Sequence, residues 1–317
     1  MPSSRSASPI SRASDGAVVG HALPALAVKL ALAPLLVAQA LATRRRAPVL
    51  PEAEGAREGA LGAAGMPALR LLVAGDSSAV GVGVARQEQA VVGHLVRALH
   101  RSTGRRVEWA LRARTGLTTR GVHDLLVAAA PFAADVAVVI TGVNDVIDQV
   151  TTRRALRHRA ALADWLLGTA GVRHVVFAPL PPVHRFPLLP EPLRRVLGGD
   201  ARRHDAALAR WAATRSDVSH AAFALDLDGA GMASDGFHPG EPVYRECGEA
   251  LAAHIAGLRQ DELSSVQGSI GANVLSNPSA EGAARATSSP RGRASRRSCG
   301  STGRRRRTRL PVTVAAP

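Results

Sequence analysis

Two cysteines in 317 residues leave no room for a disulfide framework or a cysteine-rich metal site. Cys247 falls on an expected helix and Cys299 in a polar C-terminal stretch, so the fold stands without covalent staples. Aromatic residues are scarce as well, at 3% against 46% hydrophobic residues overall, so the core must be built from Ala, Val and Leu. Lysine is nearly absent: Lys29 is the only one, and arginine supplies every other basic side chain. The net charge of +15 points to a nucleic-acid partner until it is mapped along the chain. Ten arginines against two acids lie in residues 262–317, where no aromatic residue is available to stack on bases. The basicity therefore belongs largely to a tail without apolar periodicity, and no specific nucleic-acid motif accompanies it.

What is present falls into five stretches. Residues 1–20 are rich in Ser, Pro and Ala and are expected to be disordered. Residues 21–46 form a hydrophobic segment: Ala22 to Ala42 is apolar except at Pro24, Lys29, Pro34 and Gln39, and then meets Arg44, Arg45 and Arg46. Three readings fit it. Its length favours a membrane anchor, with the arginines keeping the following domain on the cytoplasmic side. A cleaved export signal ending at Ala40-Leu41-Ala42 is the second, opposed by the arginines directly after it. A helix lying at an interface or packed on the protein is the third. Residues 47–65 read as a Pro/Gly/Ala/Glu linker, 66–258 as one globular domain, and 259–317 as a disordered Arg/Ser-rich tail.

Within 66–258, apolar runs at Ala68–Ala74, Val107–Leu111, Val136–Thr141, Val172–Ala178 and Ala221–Leu225 fit buried strands. Helix-period segments lie around 86–101, 119–130, 152–170, 201–214 and 242–257. The alternation predicts a five-stranded parallel sheet with helices on both faces. Pro179 to Leu197, rich in proline and arginine, reads as an insertion over one end of that sheet.

Loops at the carboxyl ends of parallel strands form the binding edge of such a sheet. Gly75-Asp76-Ser77 follows the first run, Gly116 the second, Gly142-Val143-Asn144-Asp145 the third, and Asp235-Gly236-Phe237-His238-Pro239 comes after the fifth. A nucleophilic serine needs a base, an orienter for that base and donors for an oxyanion. Ser77, His238, Asp235 and Asn144 supply one residue for each task. His220 also has an acid three residues earlier, Asp217, but that pair precedes the expected fifth strand and so belongs to the opposite edge. Asp226 and Asp228 end the same run and lack the Asp-x-x-His spacing.

These blocks resemble the SGNH hydrolases, also called the GDSL esterase/lipase family, over about 66–258. Ser78 stands where the name-giving leucine would be, and the glycine block is the loosest match, Gly116 being preferred to Gly121. The resemblance implies a three-layer flavodoxin-like fold. It also implies Ser77, Asp235 and His238 as catalytic residues, and the N–H groups of Ser77 and Gly116 with the Asn144 amide as oxyanion hole. It calls for no cofactor and no metal. The implied substrate is a small-molecule or lipid-like carboxylic ester, with thioesterase or carbohydrate deacetylase activity as alternatives on the same site. A flavodoxin-like nucleotide- or flavin-binding protein, using Gly75 to Gly83 as a phosphate loop, is the rival of a different class. It leaves Asn144, Asp235 and His238 unexplained.

Overall fold

A computed structural model describes residues 16–129, 132–225, 227 and 231–274. Two units divide the chain after Gly268; of the second, only residues 269–274, the end of a long helix, are described.

The first unit is built on a six-stranded sheet. Its strands are β1 (Glu58–Leu61), β2 (Ala68–Gly75), β3 (Arg106–Ala113), β4 (Val136–Ile140), β5 (His174–Phe177) and β6 (Val218–His220), in the order β1-β3-β2-β4-β5-β6. The five strands from β3 to β6 pair in parallel, as expected, and their order is that of the flavodoxin-like doubly wound sheet. Successive residues of the strands feed two cores. Leu72, Ala74, Ala137, Val139 and Phe177 face α4 (Thr119–Ala128), α6 (Thr152–Gly168) and α7 (Leu193–Ala212). Leu71, Val73, Val136, Val138 and Val176 face α3 (Val91–Thr103) and α8 (Glu241–Val274). A sheet covered on both faces needs apolar side chains at every position, which is why these strands read as continuous runs. The class is three-layer α/β.

The structure corrects several boundaries. β1 lies inside the stretch read as a linker and pairs antiparallel with β3, Glu58 opposite Ala110 and Leu61 opposite Val107. It is a short, exposed edge strand without β-branched residues, so no apolar run announces it. The sheet thus has six strands where five were expected. The last strand is Val218–His220 and not Ala221–Leu225. Its Ser219 and His220 are polar because both are hydrogen-bonded: Ser219 Oγ to His174 and His254, His220 Nε2 to Asp205 Oδ1 at 2.8 Å. This shift moves His220 to the carboxyl end of β6, so strand position does not exclude it as the base. What sets it aside is contact: its Nε2 is held by Asp205 and Asp217 by Arg215, while it is His238 that stands 3.0 Å from Ser77 Oγ. Asp226 and Asp228 lie outside the described residues.

At the N-terminus a helix, α1 (Gly16–Arg46), begins inside the stretch expected to be disordered; residues 1–15 are outside the description. Its second half docks on the domain, with Lys29 paired to Asp200 of α7 and Leu36 packed on the core. Among the described residues no helix is long and apolar enough to cross a membrane. At the other end α8 continues to Val274, past the expected start of the disordered tail at 259; residues 275–317 lie outside the description.

Candidate active site

The ends of β2, β3 and β4 are level: Gly75 stands opposite Ala113 on one side and Ile140 on the other. Three loops therefore leave one edge side by side, at the point where the chain order of the sheet reverses. Gly75 is required there, because a Cβ would run into the Ile140 carbonyl and the Ala79 side chain. The chain then turns into a single helical turn, α2 (Ser77–Val80), capped by Asp76, whose carboxylate accepts the Ser78 N–H at 3.0 Å. The backbone N–H of Gly142 also donates to it. Burial, with the nearby charge of Asp145, pushes the Asp76 carboxyl up to about 7 against the hydrogen bonds it accepts.

His238 reaches the same edge on the turn that precedes α8. Asp235 organises that turn, its Oδ1 accepting the N–H groups of Phe237 and His238, each at 2.9 Å. Its Oδ2 lies 2.6 Å from His238 Nδ1, and His238 Nε2 lies 3.0 Å from Ser77 Oγ. Burial opposes ionisation of Asp235, but the hydrogen bonds from the His238 ring and from the two backbone N–H groups outweigh it and hold the carboxyl below its ordinary range. An ionised carboxylate only accepts, so the proton of the neutral imidazole sits on Nδ1 and the Nε2 lone pair faces the serine hydroxyl. The three-residue spacing lets one carboxylate both cap its own turn and orient the ring.

The opposite wall is held differently. Asn144 lies on α5 (Val143–Ile147), and its Nδ2 donates to the Leu117 carbonyl at 3.0 Å, tying it to the loop of Gly116. One amide hydrogen remains for another acceptor. Gly142 enters α5 with φ 129°, and a Cβ there would collide with Arg159 Nη2. Gly116 is exposed at φ 81° with open space around it, so its requirement is conformational. The N–H of Gly121, the other candidate, is used by Thr118 Oγ1 at the start of α4. The structure thus joins Ser77, Asp235 and His238 directly, and brings Asn144 and Gly116 together on the neighbouring loops.

Several supports had no motif in the sequence. Glu52 Oε1 accepts both the N–H and the hydroxyl of Thr115 at 2.8 Å, and Arg57 Nη2 holds its other oxygen at 2.6 Å. Fully buried Asp145 accepts the N–H and hydroxyl of Thr119 and faces the buried guanidinium of Arg159 at 3.9 Å. Glu52, Arg57 and Arg159 lie outside the blocks in sequence, whereas Asp145 belongs to the asparagine block itself.

The profile of the GDSL-like lipase/acylhydrolase family matches residues 73–246, more than half of the chain. The chain belongs to this family. It is a hydrolase acting on ester bonds. No curated protein matches it. Among solved structures, the lipase Lip_vut3 from a goat rumen metagenome is 18% identical with a TM-score of 0.49, over 60% of this chain and 98% of that one. The esterase EstA from Pseudoalteromonas sp. is 16% identical, TM-score 0.46, over 60% and 98%. A lipolytic G-D-S-L protein from Veillonella parvula DSM 2008 is 15% identical, TM-score 0.45, over 57% and 95%.

In this GDSL-family hydrolase an apolar pocket opens beside Ser77 and His238. Ile140, Val143, Phe186, Leu227, Phe237 and Tyr244 are among its walls. Phe186 comes from the proline-rich stretch after β5 and packs edge-on against Phe237, ring centroids 5.1 Å apart. The Leu188 N–H donates to the Gly236 carbonyl at 3.0 Å, so this stretch also braces the histidine turn.

Proposed function

We propose that the protein cleaves carboxylic esters by acyl transfer to Ser77. The observation that carries this reading is His238, whose two ring nitrogens bridge Ser77 Oγ at 3.0 Å and Asp235 Oδ2 at 2.6 Å. In the first step Ser77 Oγ bonds to the ester carbonyl carbon while its proton passes to His238 Nε2. The imidazolium keeps its Nδ1–H on Asp235 and then gives the Nε2 proton to the departing alcohol as the C–O bond breaks. Water repeats the sequence on the acyl-enzyme, releases the acid and restores the Ser77 hydroxyl. The carbonyl oxygen becomes an oxyanion in both halves. The N–H groups of Ser77 and Gly116 and the free amide hydrogen of Asn144 are its donors, each worth roughly 2.7–4 kcal/mol in the transition state. The apolar pocket supports an ester with an apolar acyl group, since such a group finds aliphatic and aromatic walls beside the nucleophile.

Labelling with a fluorophosphonate tests the reading. The expected result is a single adduct, on the peptide containing Ser77, with Ser77→Ala unlabelled and inactive on p-nitrophenyl acetate at an unchanged melting temperature. Full activity in a folded Ser77→Ala protein removes Ser77 as nucleophile.

A further inference from the structure

From Lys29 to Arg46 the helix α1 has two unlike sides. The inner side carries its polar groups: Lys29 pairs with Asp200, and Gln39 donates to the Glu191 carbonyl at 2.7 Å and accepts the Leu193 N–H at 3.2 Å. The outer side carries none. Leu30, Leu35, Val37 and Leu41 are 67%, 47%, 58% and 53% exposed, and only alanine and proline are exposed between them. The outward side of α6 shows the contrast, with Arg153, Arg154, Arg157 and Asp164 facing water. Directly after the apolar side, Arg44, Arg45 and Arg46 are exposed, and none forms an ion pair among the described residues.

A water-facing helix of this composition is costly unless something covers it. An aliphatic side ending in a cluster of free cations matches the layering of an anionic membrane surface, with acyl chains below and phosphates at the level of the arginines. The grip of Lys29 and Gln39 on α7 and on the segment before it keeps the helix flush with the domain, so only its outer side is free to enter lipid. That segment, residues 186–193, supplies Phe186 to the pocket beside Ser77, so the helix and the pocket are linked through one stretch of chain.

We propose that the exposed side of α1, Leu30 to Leu41 with Arg44, Arg45 and Arg46, binds the surface of an anionic lipid bilayer, the helix lying in the membrane plane. The inference does not depend on the role of Ser77.

Flotation of the full chain with vesicles of equimolar phosphatidylglycerol and phosphatidylcholine tests it, with pure phosphatidylcholine vesicles as comparison. Wild type is expected to float with the anionic vesicles, more weakly as salt is raised, and far less with the neutral ones. Arg44→Gln, Arg45→Gln and Arg46→Gln together are expected to lower affinity for anionic vesicles roughly a hundredfold, about fivefold for each charge. Leu30→Gln, Val37→Gln and Leu41→Gln together should abolish flotation with either vesicle. Turnover of p-nitrophenyl acetate and melting temperature should stay at wild-type values in both sets. If the leucine and valine set melts lower, the arginine set decides alone, because those side chains hold nothing in the fold. Undiminished flotation of the variants overturns the proposal and assigns binding to another surface. So does a wild-type dimer that the leucine and valine set dissociates, or a protein that remains in the vesicles after alkaline washing.

Discussion

His238 is oriented locally, by Asp235 three residues away, which closes both its own turn and the imidazole. The loops of Gly116 and Asn144 are instead held by residues far along the chain: Glu52 on Thr115, and Asp145 with Arg159 behind Thr119. One side of the cleft is a local motif whose proposed task is to move protons. The other is a backbone shape, kept by charges, partly exposed at Glu52 and fully buried at Asp145 and Arg159, that have no part in the proposed chemistry. Substitutions on the first side should therefore remove chemistry and spare the fold, while those on the second should do more to the fold than to the chemistry.

The sharpest test of the first side is His238→Ala, expected to lower kcat/KM on p-nitrophenyl acetate by about 10⁴ or more. Asp235→Asn should lose nearly as much, about 10⁴, because its amide can still accept the turn N–H groups but no longer fixes the tautomer. Thermal melts should show both folded. Loss of less than tenfold in either would take the proton-transfer role away from this turn.

On the second side the larger effect belongs to Arg159. Its guanidinium is fully buried, and its three nitrogens have no hydrogen-bond partner among the described residues, leaving Asp145 as its counter-charge. Burial lowers its pKa, and the charges of Asp145 and Asp205 oppose that. Arg159→Met should cost about 3 kcal/mol by leaving the Asp145 carboxylate uncompensated. Adding Asp145→Asn should restore much of that loss, since Thr119 can still bond an amide oxygen. Denaturant melts of the two single variants and the double measure the coupling; additive losses would show that the pair does not interact.

A smaller effect is expected at Glu52. Glu52→Gln keeps an acceptor for Thr115 and loses the charge held by Arg57. That pair is partly exposed, so the stability change should stay below about 1 kcal/mol. Turnover should fall only a few-fold as the Gly116 loop loosens. A fall as large as that of His238→Ala would mean that Glu52 takes part in the chemistry itself.

The same contrast explains what could be read from the sequence. Strands buried on both faces announce themselves as apolar runs, so β2 to β5 were legible, and each chemical block follows one of them or the last strand. β6 was misplaced because its pairing residues, Ser219 and His220, are polar and satisfied by His174, His254 and Asp205. β1 escaped because an exposed edge strand needs no apolar pattern. Asp-x-x-His was legible because both partners sit in one turn. Glu52 and Arg159 were not, since a lone acid in a Pro/Gly stretch and an arginine among many on a helix carry no signal until the fold brings them to Thr115 and Asp145.

Asp76 stands between the two sides, its carboxylate receiving the N–H groups of Ser78 and Gly142, and it gives the finest test of the comparison. Its folded pKa is raised to about 7 from an ordinary 3.8, with burial as the main cause. A carboxyl whose folded pKa is raised keeps its proton in the native state after the unfolded chain has released its own. Between about pH 4 and pH 7 the folded protein therefore binds more protons at this site, and Asp76 lowers stability progressively as pH rises through that window, levelling off above it. Asp76→Asn cannot titrate and resembles the protonated side chain. The difference in melting temperature, variant minus wild type, should grow in the variant's favour from pH 4 to pH 7 and stay level beyond. Melts at half-unit steps of pH read this directly. A constant offset across the whole range would mean that Asp76 is ionised in the folded protein throughout. In that case the hydrogen bonds from Ser78 and Gly142 would outweigh burial here as those from the His238 ring and the turn N–H groups do at Asp235, and the two carboxylates of the cleft would be held alike.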